Sequence, residues 1–422
     1  MDLSNKKLII LGATSETCKL VQKAESLGVE TYVVDPYKDA PAKKYSSHPI
    51  LLDCFDVERI CELAEKEKID GILPGCADIL VPVYEEVCKK LNKYCYVNKR
   101  IVDAFNNKKG LKEILSRNGL DIIKEYSREE VEEKDFDKYP LFLKPVDNNS
   151  SKGMYIVNNK QEFNIALKKS LKYSRSKTVL IEDYKKCDDF FIGYFIQNGN
   201  VEVAFTGDRF VIEQEGVGSI TSGIIYPSKY QKLYFTNVHS KMVEIFKDLG
   251  FSNGICAIQG FIEDGKLMFY DPALRITGGQ EYVLINHFTG VDELECLIHF
   301  SLTGSMSDKE VYKKIDCTFG GHFGCNLTFS VSPCTIGRID GIDYAKKRYG
   351  VLNVTQEHKE NDVIERIGTA QQNFSRMHLY ADSKEAMRDL IVDLQKHVVA
   401  FDIYGNNVMI KGIDPIKWFN SK

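Results

Sequence analysis

The stretch Leu141–Gly153, LFLKPVDNNSSKG, constrains the fold more than any other part of the chain. Leu141, Phe142 and Leu143 predict a strand, Lys144 places one cation on it, and Pro145 stops it. Asp147 to Gly153 are small and polar, and a second apolar strand follows at 154–157. A short loop with a lysine at each end, Lys144 and Lys152, can fold over a polyphosphate. Small residues let backbone N–H groups approach the oxygens, and the lysines supply point charge. The hydroxyls of Ser150 and Ser151 add donors. A solvated hairpin loop has the same pattern, so the stretch alone leaves both readings open.

Upstream, the spacing predicts a strand at Lys7–Leu11, a tight turn at Gly12–Thr17, a helix to Gly28 and a strand at Glu30–Val34 ending on Asp35. Helices at Arg59–Lys68 and Asp78–Leu91 alternate with strands at Gly71–Pro74 and Tyr94–Val97. Residues 1–100 thus read as one α/β domain with a parallel sheet, resembling a Rossmann-like nucleotide-binding half. Only Gly12 of a GxGxxG fingerprint is present, which argues against a dinucleotide. A short helix is expected at Lys99–Asn107 and another over NKKGLKEILSRNGL, stopped by Gly119. Lys108 and Lys112 share a helix face there, which by periodicity alone reads as solvated.

Downstream, a helix at Lys160–Leu171 precedes a strand at Thr178–Ile181 and the polar run Glu182, Asp183, Tyr184. FFIGYFIQNGNVEVAFTG is a hairpin with an Asn198-Gly199 turn, and Arg209 follows its second strand. Residues 213–223, rich in Gly and Ser, read as a mobile loop that shares the substrate side with Arg209. Lys232–Leu249 is a helix closed by Gly250. GICAIQGFIEDGKLMFYD is a second hairpin. A three-residue loop with a left-handed Gly265 would set Gln259 and Asp271 on one face, whereas a two-residue turn would oppose them. Arg275, Gly278 and Gly279 follow, so this strand end is a candidate metal and phosphate corner or a surface salt bridge. After helical residues 281–304, the chain from about 311 reads as α+β. Its strands are expected at 323–331, 335–339, 351–354, 362–367, 377–381, 399–404 and 408–410, with a helix at Lys384–His397.

A length of 422 residues suits two to three domains, and 43% hydrophobic with 27% charged residues is a globular composition. A net charge of −4 offers no basic field for nucleic acid or membrane. No apolar run is long enough to span a bilayer, and MDLSNKKLIILGA lacks the long apolar core of a signal peptide. Twelve cysteines without a CxxC pair suit reduced thiols in a cytoplasmic protein. Eight histidines without ligand spacing argue against structural zinc.

The ordered set is an α/β lead domain, a lysine helix, the KP-loop-Ser-Ser-Lys-Gly hairpin, LIEDY, and DPALR followed by a Gly-Gly pair. It resembles the ATP-grasp superfamily, and within it the carboxylate–amine ligases related to carbamoyl-phosphate synthase and biotin carboxylase. The resemblance implies a Rossmann-like domain at 1–100, an ATP-grasp domain at 101–310 with a lid at about 140–185, and a C-terminal α+β domain at 311–422. It implies that Lys108 and Lys144 meet the nucleotide phosphates, and that Ser150, Ser151, Lys152 and Gly153 cover them. Glu182, Asp183 and Tyr184 would hold adenine, and Asp189 the ribose. Asp271 and Gln259 would be the metal ligands, with Arg275 and Lys144 as the catalytic cations. The implied cofactors are ATP and Mg²⁺, with Mn²⁺ as a possible replacement. The implied chemistry is attack of a small carboxylate on the γ-phosphate, giving ADP and an acyl phosphate, from which an amine (of an amino acid or amino sugar) displaces phosphate. Many such relatives dimerise. The family pattern has acids where this chain has Gln259 and Asp271, and an asparagine where it has Ala273. That departure keeps a non-catalytic nucleotide-binding protein open as an alternative, beside a carboxylase-type enzyme forming carboxyphosphate.

Overall fold

The computed structural model describes residues 2–420 except 107, 134, 147–152, 175, 185–186, 215–217 and 366, with the side chains of 108, 213, 214, 218, 219, 417 and 420 also left aside. Strands β1 (Lys7–Leu11), β2 (Glu30–Asp35), β3 (His48–Leu51) and β4 (Gly71–Pro74) form a parallel sheet in the order β3-β2-β1-β4. Leu8 to Leu11 and Val33 and Val34 are fully buried, as suits a parallel sheet covered on both faces. The Asp35 carboxylate accepts the Ala13 N–H at 3.0 Å, so the acid ending β2 braces the turn after β1.

One strand here is not expected from the sequence, and one expected strand is absent. β3 gave no apolar run because it is an edge strand, half-exposed and containing Pro49. Tyr94–Val97 is not a strand. The Tyr96 N–H donates to the Tyr84 hydroxyl (3.1 Å) and its own hydroxyl to the Leu274 carbonyl (2.9 Å), so side chains fasten a buried strap there instead of a ladder.

A small antiparallel sheet, order β6-β5-β7, is made by β5 (Leu141–Pro145), β6 (Tyr155–Val157) and β7 (Val179–Asp183). Leu141, Leu143 and Ile181 pack with Phe163, Ala166 and Leu167 of the helix Lys160–Tyr173 in a core of their own. A short helix at Arg128–Glu132 precedes it, started by a Ser127/Glu130 capping box that SREE spells out. Gly153 ends the polar loop with φ +76°; a Cβ there would lie 2.8 Å from the Tyr173 side chain. Its carbonyl accepts the Ser170 hydroxyl at 2.7 Å.

The largest sheet combines β8 (Asp188–Gln197), β9 (Asn200–Gln214), β10 (Gly218–Tyr226), β11 (Gly254–Glu263) and β12 (Lys266–Ala273) with strands from beyond residue 310. These are β13 (Phe323–Ser330), β15 (Val351–Gln356) and β17 (Asn373–Ala381), in the overall order β12-β11-β8-β9-β10-β13-β17-β15. A third sheet, β16-β14-β18, uses β14 (Cys334–Asp340), β16 (Val363–Ile364) and β18 (Val399–Asp402). The Asn198-Gly199 turn has φ of 52° and 78°, as its sequence predicts. Residues 213–223, expected as a mobile loop, are instead largely strand: Ile220 pairs with Ile212 and Thr221 with Val211. Glycine and serine masked the alternation, and 215–217 lie outside the described residues. Arg209 therefore sits within β9, not after it. The expected helix Lys232–Leu249 divides into Gln231–Asn237 and His239–Leu249, ended by a left-handed Gly250. Residues 408–410 form only a bridge, Met409 to Val331. No helix among the described residues is long and apolar enough to cross a membrane.

The β11–β12 hairpin departs from both turn alternatives. Glu263 pairs with Lys266, so the turn is two residues, Asp264 and Gly265, both at positive φ. Gln259 and Asp271 are nevertheless direct cross-strand partners. Gly260 pairs with Phe269, which leaves Tyr270 as the extra residue of a β-bulge. The bulge cancels the one-residue offset and turns both side chains to one face.

Candidate active site

Strand alternation sorts β5 into two faces. Leu141 and Leu143 enter the small core, while Phe142 and Lys144 face the other way. Glu182 lies opposite Phe142 in the register, on that second face. Lys144 is 4% and Glu182 2% exposed, and their Nζ and carboxylate are 2.7 Å apart. The helix Lys108–Arg117, which packs on β12, sends Lys112 to the same carboxylate and to Glu125. Lys112 is thus buried, and the solvated-face reading of this helix is corrected: the helix packs on β12, and from its i+4 position Lys112 reaches Glu182 of β7. Burial alone would push the Glu182 carboxyl up, but the two ammonium groups outweigh it and hold it below the usual carboxylate range. Lys108 heads this helix, but its side chain lies outside the described residues, as do Ser150, Ser151 and Lys152.

Beside Glu182 the other hinge residues divide. The Asp183 carboxylate accepts the Tyr126 hydroxyl at 2.7 Å, toward the small core, and the amides of Asp183 and Tyr184 donate to the carbonyls of Lys124 and Pro140. The Tyr184 ring stands 6.3 Å from that of Phe142. These two rings form an apolar wall beside the lysines.

On the large sheet, Phe190 and Tyr194 pack against Tyr234 of the helix Gln231–Asn237, and Tyr194 also against Phe246 of His239–Leu249. The opposite face of β8, β9 and β11 carries Asp189, Arg209 and Gln259 beside the rings of Phe191, Phe205 and Phe261. Asp189 pairs in register with Arg209. Arg209 donates from Nη1 to the Tyr270 hydroxyl (3.2 Å) and Asp189 (3.5 Å), and from Nε to the Thr221 hydroxyl (3.1 Å). The Tyr270 hydroxyl lies 3.1 Å from Asp189 and 3.0 Å from the Gln259 Oε1. Burial pushes the Asp189 carboxyl up despite Arg209 and Tyr270. Asp271, at the end of this row, is exposed. Asp189, Gln259 and Asp271 are thus brought onto one face, and Tyr270 and Arg209 join them.

Arg275 follows four residues on. It is 15% exposed and ion-pairs with Asp78, at the start of a helical turn of the first domain. Its Nη1 donates to the Ile276 carbonyl at 2.8 Å, while Arg275 Nε and Asp78 Oδ1 are buried without a partner. Orphaned buried groups of both signs at one spot suit a polar ligand. The Gly278 carbonyl accepts from Arg376 (2.5 Å), and the Gly279 carbonyl from Asn326 (2.8 Å) and His378 Nε2 (2.8 Å). Burial pushes His378 down to about 4, so it donates here as a neutral imidazole. Glu281 accepts from the Tyr226 hydroxyl at 2.9 Å and from Thr277. The strands beyond residue 310 therefore fix the Gly-Gly segment after Arg275. Sequence reasoning missed Lys112, Phe142, Tyr270, Asp78, Arg376 and His378; only Lys112 carried a readable signal, its helical phase with Lys108.

The metal ligands available are few. Asp271 is a carboxylate and Gln259 a neutral amide, and Ala273 offers nothing. Among the described residues, no group of three or more His, Cys, Asp or Glu could hold an ion. This donor set fits one hard cation that also takes phosphate oxygens, and does not fit a second.

The family model for the D-ala D-ala ligase C-terminus matches residues 114–267. Formate-dependent phosphoribosylglycinamide formyltransferases of two Prochlorococcus marinus strains are similar. That of MIT 9515 is 25% identical over 47% of this chain and 53% of its own length, that of MIT 9312 24% over 64% and 70%. The chain spans about half the length of most of the curated relatives it matches. Among solved structures, the L-amino acid ligase of Bacillus licheniformis superposes with a TM-score of 0.77 at 18% identity, over 94% of this chain and 99% of that one. The biotin carboxylase domain of Hydrogenobacter thermophilus 2-oxoglutarate carboxylase, in complex with MgADP, ADP and bicarbonate, gives 0.72 at 17% identity, over 94% and 91%.

Proposed function

We propose that this chain, whose fold is that of the ATP-grasp superfamily, is an ATP-dependent ligase that activates a small carboxylic acid as an acyl phosphate and joins it to an amine. The observation that carries the reading is the pair of buried lysines, Lys144 and Lys112, on the one carboxylate of Glu182. ATP lies between the β5–β7 sheet and the face of the large sheet that carries Asp189, Arg209 and Gln259, with adenine against Phe142 and Tyr184. Lys144 exchanges Glu182 for phosphate oxygens, and Lys112 stays to neutralise Glu182. Lys108, Ser150, Ser151, Lys152 and Gly153 complete the phosphate contacts, and Asp189 reaches the ribose. Asp271 with Gln259 would hold Mg²⁺, which would supply positive charge to the phosphate tail. Mn²⁺ would serve the same ligands.

Arg275 carries the second task. Its guanidinium, oriented by Asp78 and the Ile276 carbonyl, meets the oxygens of the transferring phosphoryl group and of the carboxylate that attacks it. The carboxylate oxygen bonds to the γ-phosphorus as the bond to the β-phosphate oxygen breaks, and ADP leaves. The amine then adds to the acyl carbon, loses a proton, and expels phosphate. The chain's contribution is positioning and fixed charge, since ATP brings its own leaving group. Twelve cysteines without a disulfide favour a cytoplasmic location.

The test is ADP and phosphate release from ATP and Mg²⁺ with a library of carboxylate and amine pairs. Pair-dependent turnover is expected. Nucleotide binding without turnover on any pair would leave a non-catalytic binder, and ATPase activity stimulated by bicarbonate alone would favour carboxyphosphate formation.

A further inference from the structure

We propose that the phosphate end of this site is built for a single divalent cation, with the Arg209 guanidinium as a permanent second positive charge. The inference rests on the nucleotide reading above and deepens it. Three observations carry it. The first is the donor set: of Gln259, Asp271 and Ala273 only Asp271 is a carboxylate, and Asp189 on the same face is engaged by Arg209 and Tyr270. The second is that Gln259, whose Oε1 lies 3.0 Å from the Tyr270 hydroxyl, offers a neutral amide oxygen and so adds no negative charge for a second cation. The third is Arg209 itself. It lies on the same face, 16% exposed, held at Nε by Thr221 and at Nη1 by Tyr270, the bulge residue that aligns Gln259 with Asp271. Asp189 lies 3.5 Å from it, and the Asp271 carboxylate also acts on it.

The physical argument is one of substitution. A second Mg²⁺ needs carboxylates to offset its dehydration, and the other carboxylate of this face, Asp189, is taken up by Arg209 and Tyr270. A guanidinium stays protonated, needs no ligand shell, and pairs directly with phosphate oxygens. Arg209 is already desolvated and aimed by three neighbours, so little side-chain freedom remains to be lost when the anion arrives. The Tyr270 bulge couples the two charges. It orients Arg209 through its hydroxyl and, by its insertion, sets Asp271 across from Gln259.

Counting ions tests this without reference to turnover. Mn²⁺ is titrated into the full chain saturated with a non-hydrolysable ATP analogue, and free Mn²⁺ is read by electron paramagnetic resonance. One tightly bound Mn²⁺ per chain is expected; two would overturn the proposal while leaving the nucleotide reading intact. The double variant Gln259→Glu with Ala273→Asn is expected to bind a second ion. In Arg209→Gln the ion count should stay at one while the analogue's Kd rises about tenfold or more; an unchanged Kd would remove Arg209 from the scheme. Arg209→Lys keeps the charge and should lose less, which separates a charge effect from misfolding, itself checked by thermal melting. Failure of the unaltered chain to bind the analogue at all would sink the nucleotide reading, and this inference with it.

Discussion

Lys144 and Glu182 meet at 2.7 Å, on neighbouring strands, with less than a twentieth of either residue exposed. Lys112 reaches the same carboxylate, so one acid holds two buried ammonium groups. Removing its charge leaves both cations without their shared counterion. Breaking such a pair from one side costs about 3–5 kcal/mol. Glu182→Gln should therefore lower the melting temperature markedly, and a nucleotide should restore more stability to the variant than to the parent, because its phosphates resupply negative charge. Calorimetry with and without ATP analogue checks both; equal nucleotide stabilisation of the two proteins would contradict the arrangement.

Lys144 also stands ready for the anion. It is strand-borne and already fixed, so its removal forfeits a preorganised charge-assisted contact. Lys144→Ala is expected to weaken ATP binding roughly ten- to a hundredfold, and by more than Lys152→Ala does. Isothermal titration reads both constants, and equal losses would contradict the preorganisation argument.

How far the chain reveals this arrangement depends on the distance over which its signals act. The paired strands β5 and β6 around Lys144, the Asn198-Gly199 turn and the Gly250 helix end were legible because each is set by a few consecutive residues. The pairing of Gln259 with Asp271 was not, since it depends on a bulge at Tyr270 that no periodicity announces. The 213–223 segment was misread because small residues hid a ladder whose register comes from β9. The burial of Lys112 and the Arg275–Asp78 pair join segments 70 and 197 residues apart, and tertiary packing alone decides such contacts.

Arg275 is oriented by Asp78 but acts, in this scheme, only when a phosphoryl group moves. Arg275→Ala should lower turnover by about a hundredfold or more while changing the ATP dissociation constant far less. Asp78→Asn keeps a hydrogen-bond acceptor and should show an intermediate loss. Steady-state ADP release beside nucleotide titration separates the two quantities; a loss confined to nucleotide affinity would argue that Arg275 binds ATP without serving the transfer.

Glu293 gives the protein a pH dependence of its own. It begins the helix Glu293–Thr303 and is almost fully buried. Burial first, and then the charges of Glu281 and Asp292, push its carboxyl from 4.5 up to about 8. Between those two values the folded state keeps a proton that the unfolded chain releases. The stabilisation is fully present below the lower value and is lost as pH rises through the upper one. The whole effect is at most roughly 5 kcal/mol. Glu293→Gln cannot ionise, so its melting temperature relative to the parent should climb steadily from about pH 5 to about pH 8.5. A difference that stays flat across that range would mean the Glu293 carboxyl titrates as it does in water. Because Glu281 lies at the site, the same ionisation should also be felt there, and turnover of the parent should fall more steeply above about pH 8 than that of the variant.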